Sequence, residues 1–448
     1  MAVPADDRIS FTDQLLFLGQ RATGQELAMQ VVWVYERAVD LDGVRRFHEN
    51  FGYGLFGRRI ERSPLPFGRH RWVAAQGPAA ELDIAESSRA RTGLSDWLDE
   101  RVQLPIDPEW GPGWHLGVLP MTDGSTAVSL VMSHCLSDGV GALQTIVDGV
   151  KGSKRDFGYR PPRSRTRRRA VADDLRDTVS AVPEVARTVV TAARQAFGRR
   201  HEIARPGPEK AAMAPVPDRA VVAPAITIYI DVDHWDDRAQ ALNGASHSLV
   251  AAFAAKLADR VGRRRVDDGA VTLHVPISDR VPDDTRANAA SIATVTIDPE
   301  QVSTDLSGVR TAVKAALNAL REQPDPTLKL LPLTPFVPKW AVKRGSDVVF
   351  GFADLPVSLS ILGDVDPVVA RVDGTDADYV MLRGVDRHVT QRYLEQRGGL
   401  LTVLAGRIGG RMSITVVAYH PGAQNSKPWL RQLAADTMAD FGLTGVID

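Results

Sequence analysis

The sequence predicts an α/β protein with mixed sheets (α+β in its strand directions), built as two lobes. At 448 residues the chain exceeds what one ordinary core holds, so two lobes of about 200 residues are expected. Apolar runs of strand length alternate with segments of helical periodicity in both halves. Between the halves lies a basic stretch, residues 151–169, with nine Lys or Arg against one acidic residue, Asp156. The expected division is therefore residues 1–150 for the first lobe, 151–215 for a basic linker and amphipathic helix that cross over, and 216–448 for the second lobe.

In the first lobe, Ser10, Thr12 and Asp13 precede Leu15, Leu16, Phe17 and Leu18, which predicts a capped helix with an apolar face. A buried strand is expected over Ala28–Val34, followed by a helix carrying Leu41, Val44, Phe47 and Phe51 on one side. Short strands follow at Arg71–Ala75 and Leu82–Ala85, and Leu94–Val102 is helical with Trp97 and Leu98 inward. A strand from Trp114 to Leu119 then joins, through the turn at residues 122–125, an apolar strand that begins near Val128.

After the basic tract, valines spaced from Val179 to Val190 predict a helix over Asp173–Phe197, kinked at Pro183. A basic tract leading into such a helix also suits contact with anionic lipid, although a solvated linker is the commoner outcome. The second lobe is expected to carry strands at Ile226–Val232, Val271–Ile277, Ser291–Ile297 and Leu355–Leu362, and a hairpin of Leu400–Ala405 with Met412–Tyr419. Its helices are placed at Asp236–Leu242, Leu249–Val261, Leu306–Leu320 and Pro428–Phe441.

The sharpest chemical feature lies where the Val128 strand ends. His134 is followed four residues later by Asp138-Gly139, and Val140, Leu143, Val147 and Val150 continue at helical spacing. A chance His-x-x-x-Asp-Gly is expected roughly 0.05 times in such a chain. An imidazole at the end of a rigid element, with a carboxylate close behind, suits a general base. The local chemistry equally allows a hydrogen-bonded core histidine beside an Asp138 that caps the helix. A metal pair is the weaker third option, because no further ligands lie nearby.

The bulk numbers narrow the classes. A formal net charge of −1 favours neither nucleic acid nor an acidic substrate. Cys135 is the single cysteine, which excludes intramolecular disulfides and a cysteine-based zinc site and points to a reducing, cytoplasmic setting. The N-terminal residues lack the layout of a signal peptide, and no run approaches the length of a membrane span. Taken as lying on a strand, Cys135 faces away from His134 and is expected to be a buried, inert thiol.

The His134-x-x-x-Asp138-Gly139 segment between strand and helix resembles that of the coenzyme A-dependent acyltransferase superfamily. Within it, the bacterial wax ester synthase/diacylglycerol acyltransferase-like proteins and the condensation domains are the nearest in pattern. Ser10 to Phe17, Gly113-Trp114, and Val275-Pro276-Ile277-Ser278-x-Arg280 followed by Asn288 are similar to further elements of the wax ester synthases. The resemblance implies two chloramphenicol acetyltransferase-like lobes forming a pseudo-dimer with an interlobe tunnel. It implies His134 as the general base, Asp138 as a structural residue paired with Arg280, and Gly139 as the point of close backbone approach. Ser133, Asn288 and Ser360 become candidates for lining the tunnel.

It further implies an acyl-CoA-dependent O-acyltransferase of lipid metabolism that moves an acyl group from a coenzyme A or carrier-protein thioester to an alcohol or amine. Acyl-CoA is then a co-substrate, with no bound cofactor and no metal, and an acyl carrier protein and a membrane surface are candidate partners. The pattern departs in three places. Ser133 stands where a first histidine is common, His247-Ser248 replaces an Asn-Asp pair, and Ser360-Ile361-Leu362-Gly363-Asp364 replaces a Ser-Asn-Val-Pro-Gly-Pro element. These departures leave open an alternative, a non-catalytic condensation-like protein that binds an acyl chain or a carrier protein.

Overall fold

The computed structural model describes residues 6–78, 80–203, 218–322, 326–337 and 355–448. The first half forms α1 (Phe11–Thr23), β1 (Glu26–Tyr35), α2 (Leu41–Phe51), β2 (Arg58–Glu61), β3 (Arg71–Ala74), β4 (Asp83–Ile84), α3 (Leu94–Gln103), β5 (Trp114–Pro120), β6 (Thr126–Ser133), α4 (Gly139–Lys151) and α5 (Arg167–Ile203). The second half forms β7 (Ala225–Asp231), α6 (Val232–Ala241), α7 (Ser246–Arg260), β8 (Val271–Ser278), β9 (Ala290–Ile297), α8 (Ser307–Glu322), a 3-10 helix (Pro326–Phe336) and β10 (Val357–Asp364). It closes with β11 (Tyr379–Arg387), α9 (Gln391–Gln396), β12 (Leu400–Ile408), β13 (Arg411–Tyr419), α10 (Lys427–Asp440) and β14 (Val446–Ile447).

Two large mixed sheets organise these elements. One has the order β11-β1-β6-β5-β4, the other β14-β7-β13-β12-β10-β8-β9, and β2 and β3 form a separate ribbon. The motif strand β6 is central, paired antiparallel to β1 on one side and β5 on the other, and every residue of it is buried. A fully buried strand reads as a continuous apolar run rather than an alternation, and this fixes the position from which the chain turns at His134.

The boundary expected at residue 216 is crossed by one strand. β11 pairs antiparallel with β1, from Glu26 opposite Arg387 to Val34 opposite Tyr379, so it belongs to the first sheet. Val365, Val369, Val372, Val380 and Leu382 accordingly pack into the first lobe's core, and the Trp33 indole donates to the Val369 carbonyl at 2.6 Å. Sequence patterning missed β11 because it carries Arg383, Asp386 and Arg387. Two of these charges are answered only in three dimensions: Arg383 pairs with Asp99 at 2.7 Å and Arg387 with Glu26 at 2.6 Å.

Helix α4 forms where the sequence places it, with Leu143, Val147 and Val150 packed partly buried against the first lobe's core. Gly141, Ala142, Thr145, Ile146 and Gly149 are the buried positions, while Val140, Leu143, Val147 and Val150 are only partly covered. A Cβ at Gly149 would stand 3.0 Å from the Phe47 ring, so small residues set how closely α4 packs on α2.

The basic tract is exposed along most of its length, as a solvated linker would be, but it is pinned to the fold at a few points. Tyr159 is buried, Arg165 pairs with Asp174 at 2.9 Å, and Arg167–Arg169 form the first turn of α5, which starts six residues before the expected Asp173. Three arginines oppose a helix dipole at its N-terminus. Here the contacts of Asp174 with Arg71, Arg165 and Ser63 override that preference. The side chains of Val189, Val190 and Ala193, and residues 204–215 of the expected linker, lie outside the described residues. Among those described, no helix is long and apolar enough to cross a membrane.

Candidate active site

β6 ends at Ser133, and residues 134–136 form a turn that carries His134 between the strand and α4. The His134 amide donates to the Leu27 carbonyl at 3.1 Å, which anchors the turn to β1. His134 as a residue is partly buried, and its Nδ1 is enclosed without a hydrogen-bond partner. Burial lowers its pKa from the ordinary 6.5, and the Asp138 carboxylate, its own carbonyl, the Asn288 side chain and Asp13 only partly offset this. A neutral ring at neutral pH is the form that accepts a proton.

Asp138 is the N-cap of α4 and also the hub between the lobes. Its Oδ1 accepts from the Gly141 amide at 2.8 Å, and its Oδ2 accepts both from Arg280 Nη2 and from the Ala289 amide, each at 2.8 Å. The Arg280 side chain, only 2 % exposed, also donates to the carbonyls of Asp284, Arg286 and Ala287. The capping role and the pairing role, alternatives in the sequence, are thus filled by the two oxygens of one carboxylate.

Asp13 on α1 supplies the second carboxylate. Its Oδ2 accepts from the Ala287 amide at 3.0 Å, and its Oδ1 from the Asn288 amide at 2.8 Å and from Asn288 Nδ2 at 3.1 Å. Three successive amides of the turn between β8 and β9, at positions 287, 288 and 289, therefore end on two carboxylates of the first lobe. Charge-assisted bonds of this kind are the stronger ones and hold the turn in one register against the His134 loop.

Arg58, which sequence patterning did not single out, completes the clamp. It is 1 % exposed, its guanidinium lies 3.7 Å from the Trp72 ring centroid, and it donates to the carbonyls of Leu136 and Thr285. No spacing in the sequence marks it, since its partners lie 78 and 227 residues away.

The remaining expected residues are distributed as follows. A Cβ at Gly139 would meet only Leu362 Cδ2, at 3.6 Å, so close approach is not what requires glycine there. The tight position is Gly141, where a Cβ would lie 2.5 Å from Ser137 Oγ, 2.7 Å from Leu55 Cδ1 and 3.0 Å from Arg280 Cζ. Ser133 is buried and its hydroxyl accepts from the Cys135 amide at 3.3 Å. Asn288 reaches the Asp13 carboxylate and donates to the His134 carbonyl at 3.3 Å, so it holds the loop instead of standing free. Ser360 is partly buried on β10 opposite Leu404.

Next to Ser360, Ile361, Gly363 and Asp364 line a cavity of about 210 Å³ with His247 and Arg407, and His134 is not among its walls. Cys135 sits in the turn rather than on the strand, so the alternation argument does not apply to it. It is nonetheless buried, with Sγ 2.8 Å from Gln20 Oε1, and burial pushes its thiol far above the ordinary range. Among the described residues, no group of three or more His, Cys, Asp or Glu is placed to hold a metal.

No protein-family model matches the sequence, and no curated protein does. Solved structures match over nearly the whole chain. The first condensation domain of the calcium-dependent antibiotic synthetase, in complex with a substrate analogue, is 12 % identical with a TM-score of 0.58, covering 98 % of this chain and 96 % of that one. The wax ester synthase/diacylglycerol acyltransferase from Marinobacter aquaeolei VT8 is 12 % identical with a TM-score of 0.54, covering 97 % and 100 %. The starter condensation domain of rhizomide synthetase, in complex with C8-CoA and Leu-SNAC, is 13 % identical with a TM-score of 0.55, covering 98 % and 94 %. The chain has the two-lobed fold of these proteins.

Proposed function

We propose that this protein is an acyltransferase that moves an acyl group from a coenzyme A or carrier-protein thioester to a hydroxyl or amine, with His134 as general base. The observation that carries the reading is a neutral imidazole on a turn that both lobes hold, Arg58 of the first at the Leu136 carbonyl and Asn288 of the second at the His134 carbonyl. With Nδ1 buried, Nε2 would be the nitrogen that meets an acceptor. It would take the acceptor's proton as the oxygen or nitrogen attacks the thioester carbonyl. Collapse of the tetrahedral intermediate breaks the C–S bond, and the thiolate recovers the proton from the imidazolium. The step needs no metal and no covalent enzyme intermediate. A neighbour that holds C8-CoA supports a thioester donor. Asp138 and Arg280 serve as structural residues in this reading.

Purified protein should release free thiol from an acyl thioester only when an acceptor is present, and His134→Ala should lower the rate by about 10²-fold or more. An equal rate in the variant would remove His134 from the chemistry. The departures at His247-Ser248 and Ser360–Asp364 favour one alternative, an acyl-chain or carrier-protein binder without turnover. Tight acyl binding with no thiol release across a broad panel of acceptors would establish that alternative.

A second surface bears on where the reaction runs. α5 turns Asp174 and Asp177 inward to Arg71, while Leu175, Val179 and Val182 are 48 %, 60 % and 53 % exposed along its outer side. The exposed Arg168, Arg169 and Arg176 lie beside them. An outward apolar stripe flanked by arginines suits the surface of an anionic bilayer. The protein should float with vesicles containing phosphatidylglycerol and not with phosphatidylcholine alone, and L175D/V179D should abolish flotation. Equal behaviour of the variant and the parent protein would refute the contact.

A further inference from the structure

We infer that Asp13 is a positioning residue for the general base, acting across the lobe boundary through Asn288. This rests on the assignment of His134 proposed above. The Asp13 side chain, on a residue with no exposed surface, makes no described contact with the imidazole itself. It binds the two amides that precede Ala289 and, through Oδ1, orients the Asn288 carboxamide. That carboxamide then donates to the His134 carbonyl. The relay joins a helix near the N-terminus to a turn 275 residues later and ends on the backbone of the base. An ordinary helix cap would not need it, because Ser10 already caps α1 by accepting from the Asp13 amide.

The chemistry of the site gives the relay a use. During proton transfer the imidazole becomes cationic inside a desolvated loop. The groups facing it are Asp138 from the α4 cap, Asp13 from α1, and Asn288 from the β8–β9 turn. Arg280 is held on Asp138, and Arg58 is held on the Leu136 and Thr285 carbonyls. Of these, Asp13, Asp138 and Asn288 stabilise the charged ring. Asp13 thus acts twice, by fixing Asn288 and by supplying buried negative charge besides that of Asp138. In Asp13→Asn one carboxylate oxygen becomes an N–H₂ facing N–H donors, so at least one bond to the 287–288 turn is lost.

The test follows the imidazole directly. His134 is assigned in the NMR spectrum by its absence from His134→Gln, then titrated in the parent protein, Asp13→Asn, Asp13→Glu and Asn288→Ala. Asp13→Asn should lower the His134 pKa by about 0.5 to 1 unit. It should also reduce kcat for thiol release by about 10- to 100-fold with KM within about twofold, and Asp13→Glu should restore part of both. Asn288→Ala leaves the backbone amides on Asp13 in place and serves if Asp13→Asn does not fold. It should show a smaller loss of kcat and a lower His134 pKa. Folded variants with the parent protein's titration curve and kcat would overturn the inference. A parent protein that titrates as described but transfers no acyl group would refute the proposed reaction and leave the positioning result standing.

Discussion

Two buried arginine–aspartate networks hold this molecule together, and they are built on opposite principles. At the lobe junction Asp138 has Arg280 as its one described cation and fills its remaining capacity with the amides of Gly141 and Ala289. Under α5 the contacts are redundant. Asp174 has both Arg71 and Arg165, with Ser63 donating as well, and Arg71 reaches Asp7, Asp174 and Asp177. Redundant charge attaches a helix whatever its fine geometry. A single cation with directional amides fixes one geometry, which is what a base needs.

The largest break should come from the network without a substitute. Arg280→Ala leaves Asp138 buried and short of its cation, at a cost of about 3–5 kcal/mol, and should abolish thiol release even where the protein is still folded. Arg280→Lys keeps the charge but cannot reach Asp138 and three carbonyls at once, so it should recover stability more than activity. Urea midpoints and thiol-release rates measured on the same samples separate the two. In contrast, Arg71→Ala leaves Asp174 with Arg165 and Ser63, and should cost about 1–3 kcal/mol with kcat within about twofold of the parent protein. A comparable loss of activity in Arg71→Ala would show that the two networks do not differ as described.

Gly141→Ala sharpens the contrast from the side of shape. The added methyl meets Ser137 Oγ and Leu55 Cδ1 inside 3 Å and presses on the Arg280 guanidinium, so it should act on the pair without altering any charge. Expected is a loss of about 1–3 kcal/mol together with a fall in kcat, read by denaturation and thiol release. Gly139→Ala, with ordinary contact only, should leave the packing of the pair undisturbed.

How much of this was legible depends on whether the partners were close in sequence. His134, Asp138 and the turn between them could be read because β6 is continuously apolar and α4 begins at a side-chain cap. The pairing of Arg280 and the position of Asn288 were reachable through resemblance. Arg58, the amide-binding role of Asp13 and the strand β11 were not, because burying Arg58, Arg383 and Arg387 makes physical sense only with partners that the fold brings in from far along the chain. The closeness of α4 to its neighbours was equally out of reach, since it rests on Gly141, Ala142 and Gly149 facing inward beside the larger Ile146.

The smallest expected effects are those of pH, and they divide along the same line. His134 is held below 6.5 by burial, so kcat/KM should rise with pH through one acid limb lying below the ordinary histidine range and stay level above it. His70 and His115 lie outside the site, His70 beside the α5 clamp and His115 on β5 opposite Val131, and burial holds them at about 4 and about 3. Both are neutral in the fold, and the unfolded chain takes up their protons first as the pH falls through 6.5. Their contribution to stability is therefore complete above that value and lost progressively toward the folded-state values. Urea midpoints should fall between about pH 7 and about pH 5, and His115→Gln should flatten that slope while leaving the acid limb of kcat/KM where it was. An acid limb that moved with His115→Gln would mean that the site and its surroundings titrate as one unit, and that the separation of the two networks is only geometric.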